Sequence, residues 1–459
     1  MKFLAQNIYF TLPYFLKNLS VSIHGHYLDW LRYGGLYRSL LGRIKEREKW
    51  DLESLLKYQE TSLLQLYRHA IENVPYYVEQ VKHGIIPSEV KSIGDLSYLP
   101  ILEKQDLIQQ SGELVDRNKK KYLLKKIYTS GSTGTPVKIY NSRNDFQRKY
   151  AYHHMRVIRW GGVDLGTPYA MVGGQLIVPF KKNKPPFWVW NSGLNQLYMS
   201  SYHLSSDFSK YYLEELRRRK LNYIYGYPSS LYSLAYFARE FEYDDIRFNV
   251  AFANAEPLLI YQKNLIEEVF KCKTHEHYGS SEFVALASEC REGNMHISPE
   301  AGIIEVLGEN NKPVDNDQVG KLVCTGLLNY SMPLLRYNTG DVGSISIRTC
   351  DCGCAFPILE KVEGREDDLL ITKDGRRIGR LDPVFKGDLG IKEAQIIQET
   401  IERITVKVVP SKNYTNERGG EIVKRLKERM GDINVEIILV NKIERTMRGK
   451  FKAVVNNIK

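Results

Sequence analysis

The spacing of apolar positions changes more than once along this chain. Across residues 36–110, Leu and Tyr recur at helical intervals among Glu and Lys, which predicts several helices in succession. Beyond residue 125, short apolar runs alternate with helical stretches. Val137-Lys138-Ile139-Tyr140 alternates with a period of two, as a strand does. Tyr223-Ile224-Tyr225-Gly226-Tyr227 precedes a helical pattern over 231–240. Val250-Ala251-Phe252-Ala253 follows as a strand, and a helix over 259–270 leads into 275–282. Strand–helix alternation implies a sheet with both faces covered, an α/β fold. From 302 to 325 the pattern turns strand-rich, with Gly308, Pro313 and Gly320 at turns, so a smaller β subdomain is expected there. After 364–368 come a strand over 404–409, a helix over 420–430 and a strand over 435–440, a small α+β unit. The expected division is an N-terminal helical extension over 1–60, a large domain over 61–365 and a small C-terminal domain over 366–459. No internal repeat interrupts it.

Length and composition agree with this division. A chain of 459 residues exceeds one ordinary core. Its 43% hydrophobic and 26% charged content is that of a folded, water-soluble protein. No apolar run approaches the roughly 18 residues of a membrane span. Residues 1–19 are apolar and aromatic but broken by Gln6, Asn7, Pro13 and Lys17, and they lack a small-residue cleavage site, which argues against a secretory signal. They read first as a helix packed on the parent domain, and second as a segment docking on a membrane surface or a partner.

The net charge of +11 is spread over clusters such as 119–121, 181–184 and 217–220. Such an excess suits nucleotides, pyrophosphate, coenzyme A, an acidic carrier or anionic lipid. No nucleic-acid-binding signature is present, so no nucleic-acid partner is expected. Among six cysteines, Cys272 and Cys324 lie in apolar surroundings. Cys350, Cys352 and Cys354 crowd into five residues. In a chain of this length that grouping points to a metal site in a reducing compartment, the cytoplasm, rather than to disulfides.

The most informative stretch is Tyr128-Thr129-Ser130-Gly131-Ser132-Thr133-Gly134-Thr135-Pro136. Glycines that permit close backbone approach, set among hydroxyls, form a loop able to wrap an anion. It is not a Walker A loop, because no Gly-Lys-Ser/Thr follows. Four further segments succeed it: His277-Tyr278-Gly279-Ser280-Ser281-Glu282, Arg336-Tyr337-Asn338-Thr339-Gly340-Asp341, Glu363-Gly364-Arg365-Glu366-Asp367-Asp368 and Glu444-Arg445-Thr446-Met447-Arg448-Gly449-Lys450. In this order they resemble the core motifs of adenylate-forming enzymes. Asn73-Val74-Pro75-Tyr76-Tyr77, residues 99–107 and Ala253-Asn254-Ala255-Glu256-Pro257-Leu258 look like the phenylacetate–CoA ligase family, which has a branch associated with capsular polysaccharide biosynthesis. The resemblance runs from residue 60 to the C-terminus.

That resemblance implies a large N-terminal α/β adenylate-forming domain with a β subdomain, closed by a small mobile α+β lid. It implies a ligase that converts a carboxylic acid and ATP into an acyl-adenylate, then passes the acyl group to coenzyme A, a sugar or a carrier protein, in surface polysaccharide biosynthesis. Residues Thr129, Ser130, Gly131, Ser132, Thr133, Gly134 and Thr135 would hold the departing phosphates. Glu282 would bind Mg²⁺, which favours one or two carboxylates plus substrate phosphates. Ala255, Glu256 and Tyr278, with Gly279, Ser280 and Ser281, would form the nucleotide pocket, and Asp341 would bind the ribose. Arg365 would lie near the ribose and phosphates, and Asp367 would be the hinge. Lys450 would be the adenylation lysine, with Lys452 as its rival. A similar Cys/His pattern in family members implies a structural zinc on Cys290, His296, Cys350 and Cys352, with Cys354 as the alternate ligand. A non-catalytic scaffold of polysaccharide biosynthesis is the second functional reading, and an adenylyltransferase that leaves AMP on its product is the third. The protein would be cytoplasmic, with contact at the inner membrane surface or with polysaccharide enzymes as a further expectation.

Overall fold

The computed structural model describes residues 2–128, 137–365, 369–378, 381–385, 389–446 and 450–458. Five parallel strands order its centre. Tyr169–Gly173 pairs in parallel with Gln196–Ser200 and with Tyr223–Gly226; Tyr223–Gly226 pairs with Val250–Ala253, and Val250–Ala253 with Lys273–Gly279. Parallel strands need both faces covered. Ala170, Val172, Ile224 and Ala251 pack under helices Pro228–Glu240 and Ile260–Phe270 through Leu231, Leu234, Leu265 and Ile266. The alternate residues Tyr223, Tyr225, Val250 and Phe252 face helices Gly35–Arg47 and Arg143–His153.

Lys273–Gly279 joins the two halves of the sheet. Its first residues pair in parallel with Val250–Ala253, and His277, Tyr278 and Gly279 pair antiparallel with Leu286–Glu289. The β-rich region continues from there through Met295–Ile297, Ile358–Arg365, Tyr337–Ser346, Gly320–Gly326 and Gly302–Leu307. Among the described residues this makes one twelve-stranded sheet, with the β part joined edge to edge to the α/β part. Helix Leu52–Asn73 covers the β part with Leu63, Leu66, Tyr67 and Ala70. Asp51 starts that helix by accepting from Ser54 N at 2.8 Å.

Ahead of it, helix Tyr14–Arg32 lies along the edge strand Trp188–Asn191. Asn18 accepts from Trp190 N at 3.0 Å, and Ser22 Oγ accepts from Ser192 N at 3.0 Å. The approach is close: a Cβ on Gly193 would come within 2.3 Å of His26 N. Arg156 is fully buried and pairs with Glu300 at 2.9 Å and Glu48 at 2.5 Å, binding the end of helix Gly35–Arg47 to the β part.

The C-terminal sheet has the order Asn434–Leu439, Arg403–Pro410, Ile391–Thr400, Val454–Asn456. Helix Asn416–Met430 buries Ile422, Leu426 and Met430, one apolar row at four-residue spacing, against it. Thr415 caps the helix by accepting from Arg418 N.

Candidate active site

Ligands of open α/β sheets bind beyond the carboxyl ends of the parallel strands. Here those ends carry Gly226-Tyr227, Asn254-Ala255-Glu256 and Tyr278-Gly279-Ser280-Ser281-Glu282. Ala255 takes a left-handed φ of +64°, which turns the chain sharply out of Val250–Ala253. Tyr278 donates to Asp341 Oδ2 at 2.8 Å. Asp341 follows Gly340, whose φ of +74° suits glycine, and pairs across the strands with Arg365. Ser280 Oγ is buried with no hydrogen-bond partner among the described residues, an orphan hydroxyl suited to a polar ligand. Glu282 is half-buried and accepts from the Tyr337 hydroxyl at 3.4 Å.

The C-terminal tail reaches this cluster. Lys450 Nζ donates to Ala255 O at 3.3 Å and lies 5.9 Å from the centre of the Tyr227 ring. Beside it, Phe451 N donates to Glu256 Oε1 at 2.6 Å. The other Glu256 oxygen accepts from Ser229 N at 3.2 Å. The Glu256 carboxylate therefore clasps two backbone segments, and burial raises its proton affinity above the usual carboxylate range. Lys450 N and O both bond Thr446, closing the tail into a turn. Lys452, by contrast, gives its carbonyl to Gln395 at 2.8 Å.

Residues Thr129 to Thr135 and Asp367 lie outside the described residues, and Arg365 is described by its backbone pairing alone. The arms of the Ser/Gly loop, Lys125–Tyr128 and Lys138–Asn141, form an antiparallel hairpin.

One neighbouring side chain escaped sequence reasoning. Lys149 is fully buried and donates to Asn141 Oδ1 at 2.6 Å. Its ammonium faces Asp145 and Glu282, and burial outweighs both carboxylates to bring its pKa down to about 8 from 10.5. In the unfolded chain the lysine holds its proton up to the ordinary value. Between those two pH values the unfolded state binds more protons, so this residue adds stability as pH rises. Denaturant unfolding of wild type and Lys149→Met should show the difference moving in favour of wild type by about 1–2 kcal/mol from pH ~7 to pH ~9.5. A constant difference would contradict the burial.

A second cluster sits at the far end of the hairpin that carries Asp341 and Arg365. The ligand atoms of Cys290, His296, Cys350 and Cys352 all lie within 4.8 Å of one another. Cys290 and Cys350 sulfurs are 3.8 Å apart, and Cys352 Sγ is 3.3 Å from His296 Nε2. His296 Nδ1 donates to Phe356 O at 2.7 Å, which leaves Nε2 as the free lone pair. Three thiols and one imidazole so disposed fit a closed tetrahedral zinc site. Cys354 stands outside the set, its backbone N donating to Cys352 Sγ at 3.4 Å.

The chain is similar in sequence to Protein CapK and to phenylacetate–coenzyme A ligases, and it shares the fold of acyl-coenzyme A ligases. Residues 370–457 match the CapK C-terminal domain family. Protein CapK of Staphylococcus aureus is 28% identical, with 98% of this chain and 99% of CapK aligned. A phenylacetate-coenzyme A ligase of Thermus thermophilus is 25% identical over 72% of this chain and 74% of its own. Among solved structures, 2-hydroxyisobutyryl-CoA ligase in its postadenylation state, bound to an acyl-AMP, superposes with a TM-score of 0.73 at 22% identity, covering 90% of this chain and 92% of that one. The score falls to 0.61 against the open conformation of that ligase.

Proposed function

We propose that this chain is an AMP-forming ligase that activates a carboxylic acid with ATP and passes the acyl group to coenzyme A, the acceptor its phenylacetate–coenzyme A ligase relatives carry in their name. The observation that supports this most is the placement of Lys450 against Ala255, beside the segment that carries the Tyr278–Asp341 pair. A carboxylate becomes a good acyl donor once AMP is its leaving group. Two anions, the acid and the α-phosphate, must first meet, and fixed donors and cations lower that barrier. Lys450 would stabilise the charge that develops at the α-phosphate. The hydroxyls and backbone of residues 129–135 would hold the departing pyrophosphate. Asp341, already accepting from Tyr278, would accept from the ribose, and the backbone at Ala255 and Glu256 would meet the adenine. Arg365 would sit on the phosphate side, and Asp367 would let the C-terminal domain swing. Glu282 would hold Mg²⁺, which when bound screens the phosphate charge. The Cys/His cluster would hold a structural zinc.

The test is carboxylate-dependent ATP–pyrophosphate exchange over a panel of aryl, amino, hydroxy and dicarboxylic acids. Exchange with one class of acid is expected. No exchange with any acid, together with no ATP binding, would replace this reading with that of a non-catalytic scaffold.

We also infer that the protein works at an anionic membrane surface, the setting in which surface polysaccharides are built. No described helix is long and apolar enough to cross a membrane. Helix Tyr14–Arg32, however, exposes Phe15, Leu19, Ile23, Tyr27 and Trp30 in one row, with Phe15 68% and Ile23 63% exposed. Cations border the row: Lys125 lies 5.2 Å from the Tyr27 ring and Arg143 lies 4.0 Å from the Trp30 ring. Asp29 is the sole acidic residue of the first 32. An apolar row bordered by cations suits an anionic bilayer. Wild type should sediment with phosphatidylglycerol-containing vesicles, and Phe15→Asn/Ile23→Asn should bind at least ~10-fold more weakly. Equal sedimentation of both, or a dimer that the double variant converts to monomer, would contradict the bilayer assignment.

A further inference from the structure

The N-terminal extension also points inward. Arg32, the last residue of helix Tyr14–Arg32, enters the helix-covered face of the sheet. Its guanidinium lies 4.4 Å from the centre of the Tyr150 ring and meets the Tyr33 hydroxyl. Tyr169 and His153 face it as well. Its Nε is shut off from solvent with no hydrogen-bond partner, and among the described residues no carboxylate pairs with it. His153 and His277 meet edge to face at 5.6 Å, and burial first, then neighbouring imidazoles and, at His153, Arg32, brings both down to about 3. Both are neutral at pH 7, so Arg32 is the cation of this cluster. Arg32 is half-buried; a guanidinium edge shut off from water without a counter-anion is costly, and a ligand that supplies the anion repays the cost.

The cluster adjoins the candidate nucleotide site. His277 precedes Tyr278, and successive strand residues point to opposite faces, so His277 joins this cluster while Tyr278 meets Asp341. The Tyr225 hydroxyl lies 3.0 Å from His277 Nε2 and bonds the Asn254 side chain, one residue before Ala255. The buried His277 Nδ1 has no partner among the described residues. Three strand ends thus each place a polar side chain behind the nucleotide segments, and Arg32 borders the same cluster through Tyr150 and His153.

Resting on the ligase reading for its reacting carboxylate, we propose that this cluster lines the pocket for the tail of the acid and that Arg32 binds a second carboxylate on it, so that the substrate is a small, polar dicarboxylic acid. Guanidinium pairs with carboxylate in bidentate fashion, which a neutral amide of the same shape cannot repay. Tyr225 and the two histidines would bond polar groups between the two ends.

The test is direct titration of the protein, without ATP, with matched pairs: succinate and succinamate, glutarate and glutaramate, malate and its half-amide. At least one diacid should bind ~10-fold or more tightly than its half-amide. Arg32→Met should erase that preference, and Arg32→Lys should retain part of it. Should Arg32→Met fail to fold, Arg32→Lys still decides, because a lysine cannot reproduce the bidentate fork. No preference in wild type for any diacid, or a preference that survives in both variants, overturns the proposal. Exchange assays with the same pairs separate it from the ligase reading. Arg32-dependent diacid binding without exchange would count against the ligase and support the pocket. Exchange as fast with half-amides as with diacids would support the ligase and overturn the pocket.

Discussion

Lys450→Ala is expected to lower ATP–pyrophosphate exchange by about 10²–10³-fold, the usual cost of removing one donor aimed at developing charge. Lys450 Nζ reaches Ala255 O from the C-terminal domain, and no covalent bond within the large domain holds it there. Its loss should therefore slow the step made with the tail docked and leave transfer from preformed acyl-AMP to coenzyme A within a few-fold of wild type. The folded melt should hardly change, because Lys450 lies near the surface. Lys452→Ala should matter little for exchange, since that residue is tied by its carbonyl to Gln395 on the C-terminal sheet. Rapid quench of acyl-AMP formation and of its consumption separates the two steps. Equal loss of both in Lys450→Ala, or a larger loss of exchange in Lys452→Ala, would contradict the assignment.

The second large effect concerns metal. Wild type purified without chelator should carry stoichiometric zinc, and Cys350→Ser/Cys352→Ser should carry none. Two of the four ligand positions lie on the loop between Tyr337–Ser346 and Ile358–Arg365, and His296 pairs with Ile358 across the sheet. Closing the four ligands would staple this hairpin to the one bearing Cys290. Structural zinc contributes its binding energy to folding, so the variant should lose several kcal/mol of local stability. Hydrogen exchange is expected to rise along 337–346 and 358–365, and ATP to bind more weakly through Asp341. Near-zero zinc in wild type, or an unchanged melt after its removal, would refute the staple.

Much of this architecture could be read from period alone. Parallel strands such as Val250–Ala253 are continuous apolar runs, and the helix over 416–430 shows its apolar row openly. The Cys/His spacing was legible because thiols are scarce in this chain. Lys149 and Arg32 were not legible. Each is one basic residue among many, and each acquires meaning from neighbours more than a hundred positions away: Glu282 for Lys149, Tyr150 for Arg32. The clasp by Glu256 was hidden likewise, because the sequence motif suggests a base-binding role while the fold gives its carboxylate to Ser229 and Phe451.

The contacts of the tail come as adjacent pairs, Lys450 with Ala255 and Phe451 with Glu256. Adjacent teeth mesh only in one register. Adding or deleting a single residue between the last C-terminal strands would keep every side chain the motif requires, yet set both teeth one notch out of step. Tail length is thus a second, silent specification of this enzyme, one that a comparison of residue types alone overlooks.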